Sequence, residues 1–127
     1  MSPSGVSKAR ILIAEDEAFT AMALVDALEA RGHAVRDAPD GEVAIEMLGS
    51  FIPDVVVTDL MMPGVDGAAL IAHVKSALDP PVPVILITGV PESKLPKDLA
   101  YDAYLGKPID YDQLGRLIDR LAASTTR

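Results

Sequence analysis

Four short apolar runs, each closed by a polar residue, dominate the hydrophobic pattern of this chain. Arg10–Ala14 runs into Glu15-Asp16, residues 54–58 into Asp59, 84–87 into Thr88, and 103–106 into Lys107-Pro108. Unbroken apolar runs of this length suit strands covered on both faces. Between them the period changes. Residues 18–30 place Met22, Leu24, Val25, Leu28 and several alanines at helical spacing, and Gly32 ends that helix. Residues 33–38 alternate apolar and polar, as an exposed edge strand does. Asp40 is placed to cap a helix over 41–48, and Pro53 breaks the chain before the strand 54–59. A third helix spans 66–78 with Leu70, Ile71 and Val74 on its core face. An amphipathic helix over 111–122 (Leu114, Leu117, Ile118, Leu121) closes the pattern.

Strand–helix alternation of this kind predicts an α/β domain: (βα)5, a doubly wound parallel five-stranded sheet with helices on both faces. Pro80-Pro81 and Pro83 delay the fourth strand to Val84. In the fourth connection, Pro91 could begin a helix but Pro96 would disrupt one. A short, displaced or irregular fourth helix is therefore expected. Residues 8–124 form the domain, 1–7 a flexible leader and 125–127 a tail.

Composition narrows the partners. With 127 residues, half of them apolar and 24% charged, one globular domain is expected. A net charge of −8 argues against nucleic acid or an anionic membrane as partner. There is no cysteine, so disulfides and thiolate chemistry are excluded. Residues 1–8 lack the apolar core of a secretion signal and no run reaches membrane-spanning length, so a cytoplasmic location is the default.

In a parallel sheet the carboxyl ends of the strands share one edge, where open α/β sheets bind ligands. Three carboxylates, a hydroxyl and an ammonium are thereby expected on a single rim. The first turn, Ala14-Glu15-Asp16-Glu17, has no glycine and would repel phosphate. Flavin, dinucleotide and P-loop readings therefore fail there. Carboxylates favour a hard cation instead, and Mg2+ is usually held by one or two of them plus phosphate oxygens. Asp16 and Asp59 are the candidate direct ligands, with Glu15 binding through a water. Glu17 and Asp66 read as helix caps. Asp59, on the central strand before the turn Met61-Met62-Pro63-Gly64, has the properties of a phosphoryl acceptor, with Lys107 and Thr88 for the phosphoryl oxygens.

Together, Ile11-Leu12-Ile13-Ala14-Glu15-Asp16-Glu17, Asp59-Leu60-Met61-Met62-Pro63-Gly64-Val65-Asp66-Gly67, Thr88-Gly89 and Tyr104-Leu105-Gly106-Lys107-Pro108 resemble the receiver domain of two-component response regulators, of the single-domain, chemotaxis-regulator-like kind. The resemblance covers about residues 8–123, with every motif in the family's order. It implies a flavodoxin-like sheet in the order 2-1-3-4-5 and a phosphoryl group accepted on Asp59 from a histidine kinase or a histidine phosphotransfer protein. It further implies Mg2+ bound by Glu15, Asp16, Asp59 and the Met61 carbonyl, and Thr88 and Lys107 contacting the phosphoryl group. Gly89 would leave room for that group, and Thr88 and Tyr104 would form a conformational switch. A cis peptide at Lys107–Pro108 is implied as well.

Three features depart from the family pattern. Glu15 replaces the commoner aspartate, the stretch from Thr88 to Lys107 is a few residues short, and the chain stops after the last helix. A stand-alone receiver is expected, monomeric because the degraded fourth helix weakens the family's dimerisation face, with a downstream protein as a further possible partner. The alternative is a receiver-like interaction module that is not phosphorylated, which degenerate pocket residues would indicate. An aspartate-nucleophile phosphohydrolase would need Asp-x-Asp after strand one, and the chain lacks it. His33 and His73 read as surface residues, and the methionines as core or turn, Met61-Met62-Pro63 being a turn with an apolar anchor.

Overall fold

The computed structural model describes residues 8–123, so the expected leader at 1–7 and tail at 125–127 lie outside it. The elements follow as β1 (Arg10–Ala14), α1 (Ala18–Ala30), β2 (Ala34–Ala38), α2 (Gly41–Met47), β3 (Val55–Asp59), α3 (Gly67–Ala77), β4 (Val84–Thr88), β5 (Ala103–Gly106) and α4 (Tyr111–Ala123). The strands make one parallel sheet in the order β2-β1-β3-β4-β5. This is the flavodoxin-like arrangement that the sequence predicts.

The alternating direction of strand side chains divides the core in two. Leu12, Ala14, Val56, Val84 and Leu86 face α2 and α3, with Leu70, Ile71 and Val74 packed on them. Ile11, Ile13, Val55, Val57, Ile85 and Ile87 face the other way, under Leu24 and Leu28 of α1 and Leu114 and Ile118 of α4. Burying one such side chain contributes about 1.5–3 kcal/mol, so both faces of β1, β3 and β4 are fixed by packing. Every residue of β3 and β4 is buried. β2, at one edge, buries only Ala38.

Local chemistry sets the helix ends. Glu17, Asp40 and Asp66 accept hydrogen bonds from the amides of Thr20, Val43 and Ala69 and cap α1, α2 and α3. Beyond α1, Gly32 takes φ +95°. Its amide donates to Glu29 O and that of His33 to Leu28 O, a Schellman turn that swings the chain into β2.

Two expectations are corrected. Met22 is 61% exposed, because Ala21, Leu24 and Leu28 form the buried stripe of α1 and Met22 lies round the helix from it. His33 is buried, since the turn at Gly32 directs its ring beneath α4. The fourth connection holds a single 3₁₀ turn, Glu92–Lys94, after which Leu95 is buried and Pro96 follows. No helix among the described residues is long and apolar enough to cross a membrane.

Candidate functional site

Sheet register brings the rim together. Ala14 pairs with Thr58, Asp59 with Ile87, and Thr88 with Gly106, so Glu15, Asp59, Thr88 and Lys107 fall at the carboxyl ends of four adjacent strands, with Thr88 one residue beyond the level of Asp59 and Lys107 one beyond that of Thr88. The Lys107 amide continues the ladder by donating to Thr88 O at 2.9 Å. Glu15, Asp59 and Thr88 are buried, Lys107 is half-buried and Asp16 is exposed.

Asp59 is held from both sides. Its Oδ1 accepts from the amides of Leu60 at 2.7 Å and Met61 at 3.4 Å, and its Oδ2 from Lys107 Nζ at 2.8 Å. Lys107 also donates to Glu15 Oε1 at 3.3 Å, and the other Glu15 oxygen accepts from the Glu17 amide at 3.0 Å. Burial, and secondarily the charge of Asp59, lift the Glu15 pKa above its ordinary value against the Glu17 amide and Lys107. Burial disfavours the charge on Lys107, but the hydrogen bond and charge of Asp59, with those of Glu15, outweigh it and raise the Lys107 pKa. The ammonium is therefore firmly charged and sits among the acids as their counter-ion.

Glu15, Asp16 and Asp59 each offer a carboxylate oxygen, all within 4.8 Å of one another. Hard oxygen donors so close together fit Mg2+, which takes one or two carboxylates and keeps several waters. Asp16, the exposed member, leaves the cluster open to solvent on one side.

Thr88 and Tyr104 meet through the backbone of one residue. The Val90 amide donates to Thr88 Oγ1 at 3.1 Å, and the Val90 carbonyl accepts from the Tyr104 hydroxyl at 2.6 Å. That link is invisible in sequence, because Val90 contributes only its backbone. A Cβ on Gly89 would touch nothing within 4 Å. The Lys107–Pro108 bond is cis, as is Asp79–Pro80.

Two glycines have roles that spacing alone does not disclose. A Cβ on Gly67 would collide with the Asp59 carbonyl, and one on Gly41 with that of Val65. Gly67 begins α3 and its amide donates to Leu60 O at 2.9 Å, so the helix starts directly against the acidic strand end. Among the exposed large apolar residues, Met61 on the turn after Asp59 is 68% exposed, whereas Met62 is buried as the turn's anchor.

The profile of the response regulator receiver domain matches residues 11–119. The chain belongs to the response regulator receiver family. It is 36% identical over 125 residues to the transcriptional regulatory protein PdtaR of Mycobacterium tuberculosis, which covers 93% of this chain and 58% of that protein. It is 33% identical over 119 residues to the sensor kinase CckA of Brucella abortus, covering 89% of this chain but 12% of that one. The chain therefore spans only part of these relatives.

Among solved structures, it superposes on the Francisella response regulator 1452 receiver domain with a TM-score of 0.86 at 26% identity, covering 94% of this chain and 100% of that one. The receiver domain of the hybrid histidine kinase CckA gives a TM-score of 0.74 at 30% identity, over 89% and 98% of the two chains. Receivers are the signalling phosphoacceptors of two-component systems, work with histidine kinases or phosphotransfer proteins, and bind Mg2+ in an acidic pocket. This receiver has such an acidic cluster in Glu15, Asp16 and Asp59.

Proposed function

We propose that Asp59 accepts a phosphoryl group from a histidine kinase or a histidine phosphotransfer protein. The observation that carries this reading is the grouping of the Asp59 carboxylate with Lys107 Nζ at 2.8 Å and with the carboxylates of Glu15 and Asp16. An Asp59 oxygen attacks the donor phosphorus, the bond from phosphorus to the donor imidazole nitrogen breaks, and an acyl phosphate forms. The donor ring leaves as a neutral imidazole. Lys107 and the Thr88 hydroxyl take the phosphoryl oxygens, so Lys107 exchanges one set of anionic oxygens for another.

Asp16, Asp59 and the Met61 carbonyl are the direct holders of Mg2+ in this reading, with Glu15 acting through a water. Bound there, the ion neutralises charge that develops on the phosphoryl oxygens. Thr88 and Tyr104 serve as the switch: when Thr88 turns to the phosphoryl group, its bond to the Val90 amide is released, and the carbonyl of the same residue holds Tyr104. The receiver works as a monomer, a reading supported by the three-residue turn that stands where a fourth helix would carry the dimer face.

The test is transfer of label. A histidine kinase or phosphotransfer protein carrying radiolabelled phosphate is mixed with this protein and Mg2+. Label is expected to move to this chain, to stop on chelation, and to be absent with Asp59→Asn. Transfer that persists with Asp59→Asn, or that ignores chelation, contradicts the proposal.

A further inference from the structure

At the sheet end opposite the acidic rim lies a buried titratable group with no part in phosphoryl chemistry. The His33 side chain is fully buried. Its Nδ1 accepts from the Ala9 amide at 3.0 Å, a bond buried from solvent. A ring nitrogen that accepts carries no proton, so in the neutral ring the hydrogen lies on Nε2. Nε2 stands 3.5 Å from Asp119 Oδ1 on α4, and both atoms are buried without a hydrogen-bond partner. The other Asp119 oxygen accepts from Arg31 Nη2 at 2.8 Å. The charged groups facing the ring are thus Arg31 from the end of α1 and Asp119 from α4.

Ala9 is tied to the next chain segment at both of its polar groups. Its carbonyl accepts from the Ala34 amide at 2.9 Å, and Arg10 pairs with Ala34 directly after it. The bond from Ala9 to the imidazole is accordingly the outermost fastening between β1 and β2. A second proton can go only on Nδ1, and there it removes the acceptor. The buried Ala9 amide is then left without a partner, while the imidazolium faces Asp119.

We propose that His33 is a proton-operated pin, which fastens the start of β1 to β2 when neutral and releases it when charged, keeping only its hold on Asp119 of α4. The sign follows from the surroundings. Burial lowers the affinity of the ring for a second proton, more than Asp119 raises it, and Arg31 adds to the lowering. The pin therefore stays closed at neutral pH and opens below the ordinary histidine value of 6.5. This inference is independent of the role of Asp59.

Amide exchange of Ala9, followed by NMR between neutral pH and about pH 5 and corrected for intrinsic exchange, tests it. Protection of Ala9 is expected to fall about tenfold per pH unit as pH drops from 6.5 toward the lowered His33 value, and to level off below it, as linkage to one proton requires. His33→Asn keeps an acceptor toward Ala9 without titrating, so its protection should stay level. Asp119→Asn removes the carboxylate that favours the charged ring, so the fall should move to lower pH. Ring nitrogen shifts of the unmodified protein should show Nδ1 unprotonated at neutral pH and gaining its proton over the range where Ala9 loses protection. Protection of Ala9 that does not change with pH, or a neutral ring protonated on Nδ1, overturns the proposal.

Discussion

Lys107 and Asp59 are 48 positions apart in the chain and 2.8 Å apart in space, joined by a hydrogen bond between ammonium and carboxylate. Lys107 touches Glu15 as well, and so stands as the counter-ion of the acidic cluster. Lys107→Met would leave three carboxylates with no cation between them. Destabilisation on the order of 1 kcal/mol is expected at neutral pH without metal, because the cluster is partly solvated. Mg2+ should raise the melting temperature of this variant more than that of the unmodified protein. An equal Mg2+ effect on both would contradict the counter-ion role.

Glu15 gives a pH dependence with a defined sign. Its folded pKa is raised above the ordinary 4.5, so the native state binds that proton more tightly than the unfolded chain does. Ionised Glu15 therefore costs stability above the raised value, and the cost disappears as pH falls through it toward 4.5. Glu15→Gln should melt higher than the unmodified protein at neutral pH without metal. The difference should close on acidification, as urea unfolding over a pH series would show. A difference that widens toward acid would refute the assignment.

Gly67 supports Asp59 from below. Gly67→Ala drives a methyl group into the Asp59 carbonyl. The expected loss is about 1–3 kcal/mol, since backbone on both sides resists displacement. Denaturant unfolding measures it, and a neutral effect would show that α3 shifts without cost.

Much of this geometry was legible in the residues. Short unbroken apolar runs ending in Asp59 and Thr88 signalled buried parallel strands, and the acids, Thr88 and Lys107 fell on one rim because parallel strands share an edge. Pro96, which has no amide to donate, announced the lost helix. What stayed hidden were contacts made by backbone or by shape. Val90 links Thr88 to Tyr104 through its backbone N–H and C=O alone, and Gly67 matters for what a side chain would strike. His33 was misread because a single histidine carries no period. Its burial follows from the turn at Gly32 and from the reach of α4, which only the folded chain supplies.

Met61 bears on the lifetime of the phosphorylated state. It is exposed on the turn after Asp59, and neither it nor Val90 has a side chain that can orient a water for attack on an acyl phosphate. Hydrolysis depends on positioning that water in line. Slow loss of phosphate is expected, over minutes or longer, and Met61→Glu should speed it by up to about a hundredfold. Decay of radiolabelled phosphoprotein with Mg2+ at neutral pH measures both. Decay within seconds, or no change in the variant, would count against this role of Met61.

If Asp59 carries the phosphoryl group, the modified residue can be located by chemical trapping. The protein is incubated with acetyl phosphate and Mg2+, reduced with borohydride to trap the acyl phosphate, digested and sequenced by mass spectrometry. One modified position is expected, Asp59, with no modification when metal is chelated and none in Asp59→Asn. Modification at another residue, or unchanged phosphorylation of Asp59→Asn, would contradict it.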